Sequence, residues 1–206
     1  MGVADSDDEL MFRFQRDHDY TAFEELFSRH KDVLLRFLAR LLGDIATAHD
    51  ASQQTWLKVI EVARRQDYLA QSDARFRTWL LTLARNHAID EYQRKFAASR
   101  TISLTDELRE KSLNGPIAGQ QAPIDPLDDA NRQQIAQRLS DAIQNLPLEQ
   151  REVIALWIAE VEPAAIAEIT GAPRDTVLSR KKYALAKLRG ALGDLLMEGD
   201  HVRRSS

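Results

Sequence analysis

The sequence predicts an all-α protein made of two small helical domains joined by a flexible linker. Three observations carry this. Apolar residues return every three or four positions, as in Phe23, Leu26, Phe27, His30, Leu34, Phe37, Leu38, Leu41 and Leu42, which is the period of a helix with one buried face. No clean apolar–polar alternation marks a strand. Residues 97–130 interrupt the pattern with Ser, Thr, Gly, Asn, Gln and three of the six prolines, Pro116, Pro123 and Pro126, a composition suited to a tether. The expected organisation is a first domain over 1–96, a linker over 97–130, a second domain over 131–198 and a disordered tail over 199–206.

Each element has its own signal. Residues 5–19 are acidic and polar, with Leu10, Met11, Phe12 and Phe14 as anchors. A helix follows, with Thr21 as N-cap, Glu24 completing a capping box and Gly43-Asp44 as its end,. His30 falls on its apolar face and reads as a packed residue. A second helix spans Thr47–Arg65, with Ala48, Ala51, Thr55, Val59 and Val62 in one stripe beside Trp56 and Ile60. A third runs from Ala74 to Phe96; Phe76, Trp79, Leu80, Leu83, Ala84, Ala88 and Ile89 face inward, and Arg85, Arg94 and Lys95 make its far end basic. A short helical turn is expected within the linker at Thr105–Ser112. Beyond it, Ile135, Leu139, Ala142, Ile143 and Leu146 form an amphipathic helix ending at Pro147, and Leu148–Ala159 brings Val153, Ile154, Leu156, Trp157 and Ile158 to a core.

Residues 163–192 read as helix, tight turn, helix. Ala164, Ala165, Ile166 and Ile169 give the first helix a small apolar face, Gly171 admits positive φ at the turn, and Pro173 opens the next helix,. That helix carries Arg174, Arg180, Lys181, Lys182, Lys187 and Arg189 against one acid, Asp175, with Val177, Leu178, Tyr183, Ala184, Leu185 and Leu188 on its apolar side. This is the helix-turn-helix pattern, whose second helix enters the DNA major groove.

The totals narrow the function. A net charge of −4 over 206 residues does not suit a protein that coats nucleic acid, so DNA contact must come from local patches. The absence of cysteine excludes disulfides and thiolate chemistry. No apolar run approaches the roughly 20 residues of a membrane span, and the acidic start lacks the parts of a signal peptide, so no direct membrane insertion and a cytoplasmic location are expected. The five His residues are scattered, and there is no phosphate-binding Gly loop or Ser/His/Asp arrangement. No metal, no cofactor and no enzymatic activity are expected.

Four segments carry a resemblance. Asp50-Ala51-Ser52-Gln53-Gln54-Thr55-Trp56 is similar to the D-x-x-Q-E-T-F segment of sigma-70 region 2. Residues 76–90, FRTWLLTLARNHAID, are similar to its F-R-x-W-L-x-x-I-A-R-N-x-A-I-D segment. LPLEQREV over 146–153 and IAEITGAP over 166–173 resemble region 4. They stand in the family's order, cover nearly all of both domains and have nothing resembling a region 3 between them, so the chain resembles the extracytoplasmic-function group of sigma factors.

The resemblance implies core RNA polymerase and promoter DNA as partners. It implies polymerase contact through Asp50, Gln53, Gln54, Trp56, Leu57 and Lys58. It implies minus-ten recognition by Arg77, Asn86, Asp90, Arg94 and Lys95, where stacking and cationic groups capture an unpaired base. It implies minus-thirty-five reading by Arg174, Thr176, Ser179, Arg180 and Lys181, with Lys182, Lys187 and Arg151 on phosphates. Asp175, Leu178 and Lys181 depart from the family's usual residues, so an unusual specificity is expected.

A second departure concerns regulation. The family's acidic D-A-E-D cluster is here Thr47-Ala48-His49-Asp50, and its following Glu is Gln54, so the surface meant for a basic polymerase element is nearly neutral. Lost charge slows association. A phosphoryl group on Thr47, Ser52 or Thr55 adds about −1.5 to −2 charges, which suggests control by a Ser/Thr kinase; release from an anti-sigma factor is the alternative. A repressor or activator with one helix-turn-helix leaves the region-2-like segments unexplained, and a sigma mimic lacks its receiver domain.

Overall fold

The structure, a computed structural model, describes residues 5–69, 76–102 and 126–203, and the side chains of 5–69, 76–94 and 134–193. Its helices are α1 (Asp7–Asp17), α2 (Tyr20–Leu42), α3 (Ile45–Arg64), α4 (Phe76–Ile102), α5 (Pro126–Gln144), α6 (Leu148–Ile158), α7 (Pro163–Thr170) and α8 (Arg174–Arg203), with no strand among the described residues. The expected turn at Thr105–Ser112 lies outside the described residues. So do residues 204–206, while α8 runs to Arg203, through part of the stretch expected to be a disordered tail.

The helix starts explain themselves locally. Ser6 and Glu9 form a capping box that opens α1, a helix the acidic composition had hidden,. Asp19, not Thr21, caps α2: its Oδ1 accepts from the amides of Thr21 and Ala22 and from the Thr21 hydroxyl. A carboxylate is the stronger acceptor for orphan amides, and these bonds, with Arg13, hold Asp19 down to a pKa of about 2. Gly43 ends α2 in the left-handed region at φ 77°, and Gly171 ends α7 at φ 65°, where a Cβ would be strained.

Helices α1–α4 enclose Met11, Leu26, Leu34, Phe37, Leu38, Val59, Phe76 and Leu80. The same apolar cluster continues into the second half through Val153, Leu156, Ile166, Ile169 and Val177. A smaller cluster joins α5, α6 and α8 through Ile143, Leu146, Ile154, Ala184 and Leu188. The two halves therefore pack against each other, with α6 on α2 and α7 on α4. Several residues expected inside are instead exposed: Ile135, Trp157, Ile158, Leu178 and Tyr183. Their helices bury other faces, because α6 turns Val153, Ala155 and Leu156 toward the shared core.

Polar contacts across the halves share one logic. The last carbonyls of a helix lack partners within it. At the end of α2, the amide of Gly43 reaches the Ala39 carbonyl (2.9 Å). Gln144 Nε2 donates to the Arg40 carbonyl (2.7 Å) and Arg151 to the Leu41 carbonyl (3.2 Å). In the other direction, Arg77 donates to the Ala159 carbonyl at the C-cap of α6. Each half thus caps a helix of the other. Arg85 and Glu152 complete the junction as an ion pair, with Glu152 only 2% exposed.

Candidate functional site

The polymerase-contact residues occupy one stripe of α3. Asp50, Gln53, Gln54, Leu57 and Lys58 are all exposed, at spacings of three and four that place them on one face. The opposite face, Ala48, Ala51, Thr55, Val59 and Ala63, is buried. Trp56 differs from the others: it is buried, packs edge-on against Phe23 (5.9 Å) and Phe27 (5.0 Å), and its indole N–H has no partner among the described residues. It forms a wall of a cleft of about 670 Å³ between α2 and α3, lined also by Phe27, Leu35, Leu57 and Ile60. Leu57, at 57% exposure, is the apolar residue that joins stripe and cleft.

The three hydroxyls differ in access. Thr47 is half-buried; its amide (2.8 Å) and hydroxyl both donate to Asp44, the N-cap of α3. Ser52 is buried. Thr55 is 2% exposed and its hydroxyl donates to the Ala51 carbonyl (2.8 Å).

The minus-ten candidates do not form one surface. Asn86, Asp90 and Arg94 are exposed on α4. Asp90 lines a polar cleft with Gln54, Lys58, Glu61 and His87, so α3 and α4 present their polar residues side by side. Arg94 pairs with Glu91 (2.9 Å). The backbone at Lys95 continues α4, but its side chain lies outside the described ones. Arg77 faces the second half, bonded to Ala159. Trp79 packs on Tyr68 (4.9 Å) and Phe76 (5.7 Å), in keeping with a core role.

In the helix-turn-helix, Pro163 starts α7 and Ile166 and Ile169 pack with Val177 of α8. Arg174, Asp175, Leu178, Ser179 and Lys182 are exposed on α8, so the unusual residues Asp175 and Leu178 do face outward. Thr176, Arg180 and Lys181 are half-buried, and the Lys181 ammonium sits 3.9 Å from the centre of the Trp157 ring, a cation–π contact that explains why Trp157 stays at the surface. Arg151 is 8% exposed, with its guanidinium on the carbonyls of Leu41, Gln144 and Leu146. Burial lowers its pKa. In this arrangement it does not reach the surface that α8 exposes. Sequence reasoning missed Gln144, Glu152, Arg36 and Arg40 as participants. The only signal was the basic i, i+4 pair Arg36 and Arg40 near the end of α2.

The fold is that of a two-part helical protein, with a helix-turn-helix in its second part. A family model described as Sigma-70 region 2 matches residues 26–96. RNA polymerase sigma factor CarQ of Myxococcus xanthus is 31% identical over 191 residues, 91% of this chain and 98% of that protein. ECF RNA polymerase sigma factor SigL of Mycobacterium tuberculosis is 30% identical over 171 residues, 82% of this chain and 88% of that one. Two solved structures share the fold. CnrH in complex with the cytosolic domain of CnrY aligns with a TM-score of 0.64 at 19% identity, over 92% of this chain and 99% of that chain. RpoE in complex with the anti-sigma factor NepR from Bartonella quintana aligns with a TM-score of 0.59 at 24% identity, over 82% and 98%. The chain belongs to the extracytoplasmic-function group of the sigma-70 family. Its role is that of a sigma factor, which joins RNA polymerase and directs initiation at promoters.

Proposed function

We propose that the exposed stripe of α3, from Asp50 to Lys58, docks core RNA polymerase, with the neighbouring apolar cleft receiving part of the partner. Asn86, Asp90, Arg94 and Lys95 on α4 then meet the minus-ten element, and Arg77 joins them once the halves separate. The outer face of α8, Arg174 with Thr176, Ser179, Arg180, Lys181 and Lys182, reads the minus-thirty-five element. Arg151 reaches phosphate only after leaving its carbonyl cage. The protein acts in the cytoplasm and performs no catalysis of its own. The observation that carries this reading is the division of α3 into a fully packed face and a fully exposed one with Leu57 at its centre. Leu57→Asp is expected to weaken binding to core polymerase with helix content unchanged. Unchanged binding overturns the α3 assignment.

Activation by phosphorylation is the finer part of the proposal, and Thr47 is the acceptor that fits. It lies one turn before Asp50 on the same side of α3 as Asp50 and Gln54. A phosphoryl group there restores missing acidity at a helix N-terminus, at the cost of displacing Asp44 from its cap. Thr47→Asp should associate faster with core polymerase at low salt, with the gain fading as salt rises. Thr55→Asp should destabilise the first half instead, since it buries a charge. If Thr47→Asp changes nothing, regulation falls to the second reading, release from an anti-sigma factor. That reading is supported by CnrH and the Bartonella RpoE having been solved with CnrY and an anti-sigma factor bound.

A further inference from the structure

A cleft of about 170 Å³ lies where the halves meet, lined by Arg36 and Arg40 of α2, Arg77 of α4, Val33, and Ile158–Glu160 at the end of α6. The lining thus holds three arginines against one acid, Glu160. None of the three arginines makes an ion pair within the described residues. Among the described residues Arg40 donates only to the Arg36 carbonyl one turn back (3.2 Å). Arg77 spends one terminal nitrogen on the Ala159 carbonyl, while its Nε–H is buried with no partner among the described residues. Burial, then the Arg36 charge, lowers the pKa of Arg40. Clustered, part-buried cations without counter-ions are costly in a folded protein, and an unpaired buried N–H adds to that cost.

We propose that this cleft is a binding site for a small phosphate-type oxyanion, inorganic phosphate, pyrophosphate or the phosphoryl end of a phosphomonoester. Arginine forks match such oxygens in geometry as well as charge. The volume is that of roughly five or six waters, below the range of about 300 Å³ and upward that houses a drug-sized molecule, so the oxyanion fits and a base and sugar remain outside. The α6–α7 turn forms one side of the cleft, and Glu160 stands there at a positive φ of 58°. A cleft this small at the junction of the halves suits a small ligand better than a promoter strand. An anion bound here ties α2 and α4 to the second half and stabilises the closed arrangement. The site does not depend on the α3 or α8 assignments.

The test uses the full chain, inorganic phosphate and pyrophosphate against chloride at matched ionic strength, and thermal unfolding. At ten times its dissociation constant a ligand of the folded state raises Tm by about 3–6 °C. Arg36→Gln, at a half-buried residue of the lining, should weaken binding by about tenfold. Glu160→Gln should tighten it, which a merely structural role or a generic salt effect does not produce. A shift no larger than that of chloride overturns the proposal, as does a shift that neither variant alters. Binding of a single-stranded promoter oligonucleotide that loses affinity in Arg36→Gln, without competition from pyrophosphate, also overturns it and assigns the arginines to DNA.

Discussion

Replacing Arg85 by Met removes the ion-pair partner of Glu152 and keeps most of the aliphatic stem. Glu152 is 2% exposed, and Arg85 is its only ion-pair partner among the described residues. If the halves stay together, a buried carboxylate is left without its cation, which costs about 3–5 kcal/mol. Against a total stability of roughly 5–15 kcal/mol that is a large penalty. The chain has a way to avoid it. Junctions between domains of one chain resemble transient interfaces, so parting the halves returns Glu152 to water while each helical bundle persists. Arg85→Met is therefore expected to keep its helix content, expand by small-angle scattering, and lose hydrogen-exchange protection at the end of α2 and the start of α6. Adding Glu152→Met should restore most of the closed form, because removing both partners is far less costly than removing one. If Arg85→Met retains wild-type dimensions and exchange, the junction does not rest on this pair.

Gly43→Ala should loosen the same junction. The residue sits at φ 77°, and a Cβ would collide with the Gln144 amide, displacing the side chain that caps Arg40; a loss of about 1–2 kcal/mol is expected in chemical denaturation. Lys182→Ala should weaken binding to all promoter sequences alike and lower the salt slope by about one unit, measured by fluorescence anisotropy. The Asp7 pKa is lowered, chiefly by the hydrogen bond from His30 (2.7 Å) and also by Arg29, with burial opposing. Its contribution to stability is complete above the ordinary value of 3.8 and is lost as pH falls through the lower folded value,. Asp7→Asn should remove that part of the acid-unfolding slope.

The helices were legible because their apolar residues recur with helical period, and the turns because Gly43 and Gly171 stand where left-handed caps are needed. Periodicity reports that a face is buried, not against what. The face of α6 bearing Val153 and Leu156 reads as the core of a separate second domain, yet it packs on α2. Trp157 and Ile158, equally apolar, are left at the surface, and so is Leu178 on the outer face of α8. The buried stripe of α3, with Ala48, Ala51, Thr55 and Val59, followed from spacing, whereas Gln53, Gln54 and Leu57 on its exposed side came only through the family resemblance. Arg151 did not follow: a cation in a basic domain suggests phosphate, but its guanidinium found three backbone carbonyls, one of them at the end of a helix about a hundred residues away. The same holds for Arg77 and Ala159. Capping between distant helices leaves no local mark in a sequence.

Initiation reconstituted from purified core RNA polymerase, promoter DNA and the full chain tests the central claim most directly. The account predicts promoter-specific transcripts that depend on this protein, fall with Leu57→Asp through weaker polymerase binding, and fall with Lys182→Ala through weaker DNA binding. Specific transcripts that survive both substitutions undiminished would contradict the assignment of α3 to polymerase and α8 to promoter, and their complete absence with the wild-type chain, Thr47→Asp and Arg85→Met alike would contradict the sigma-factor role.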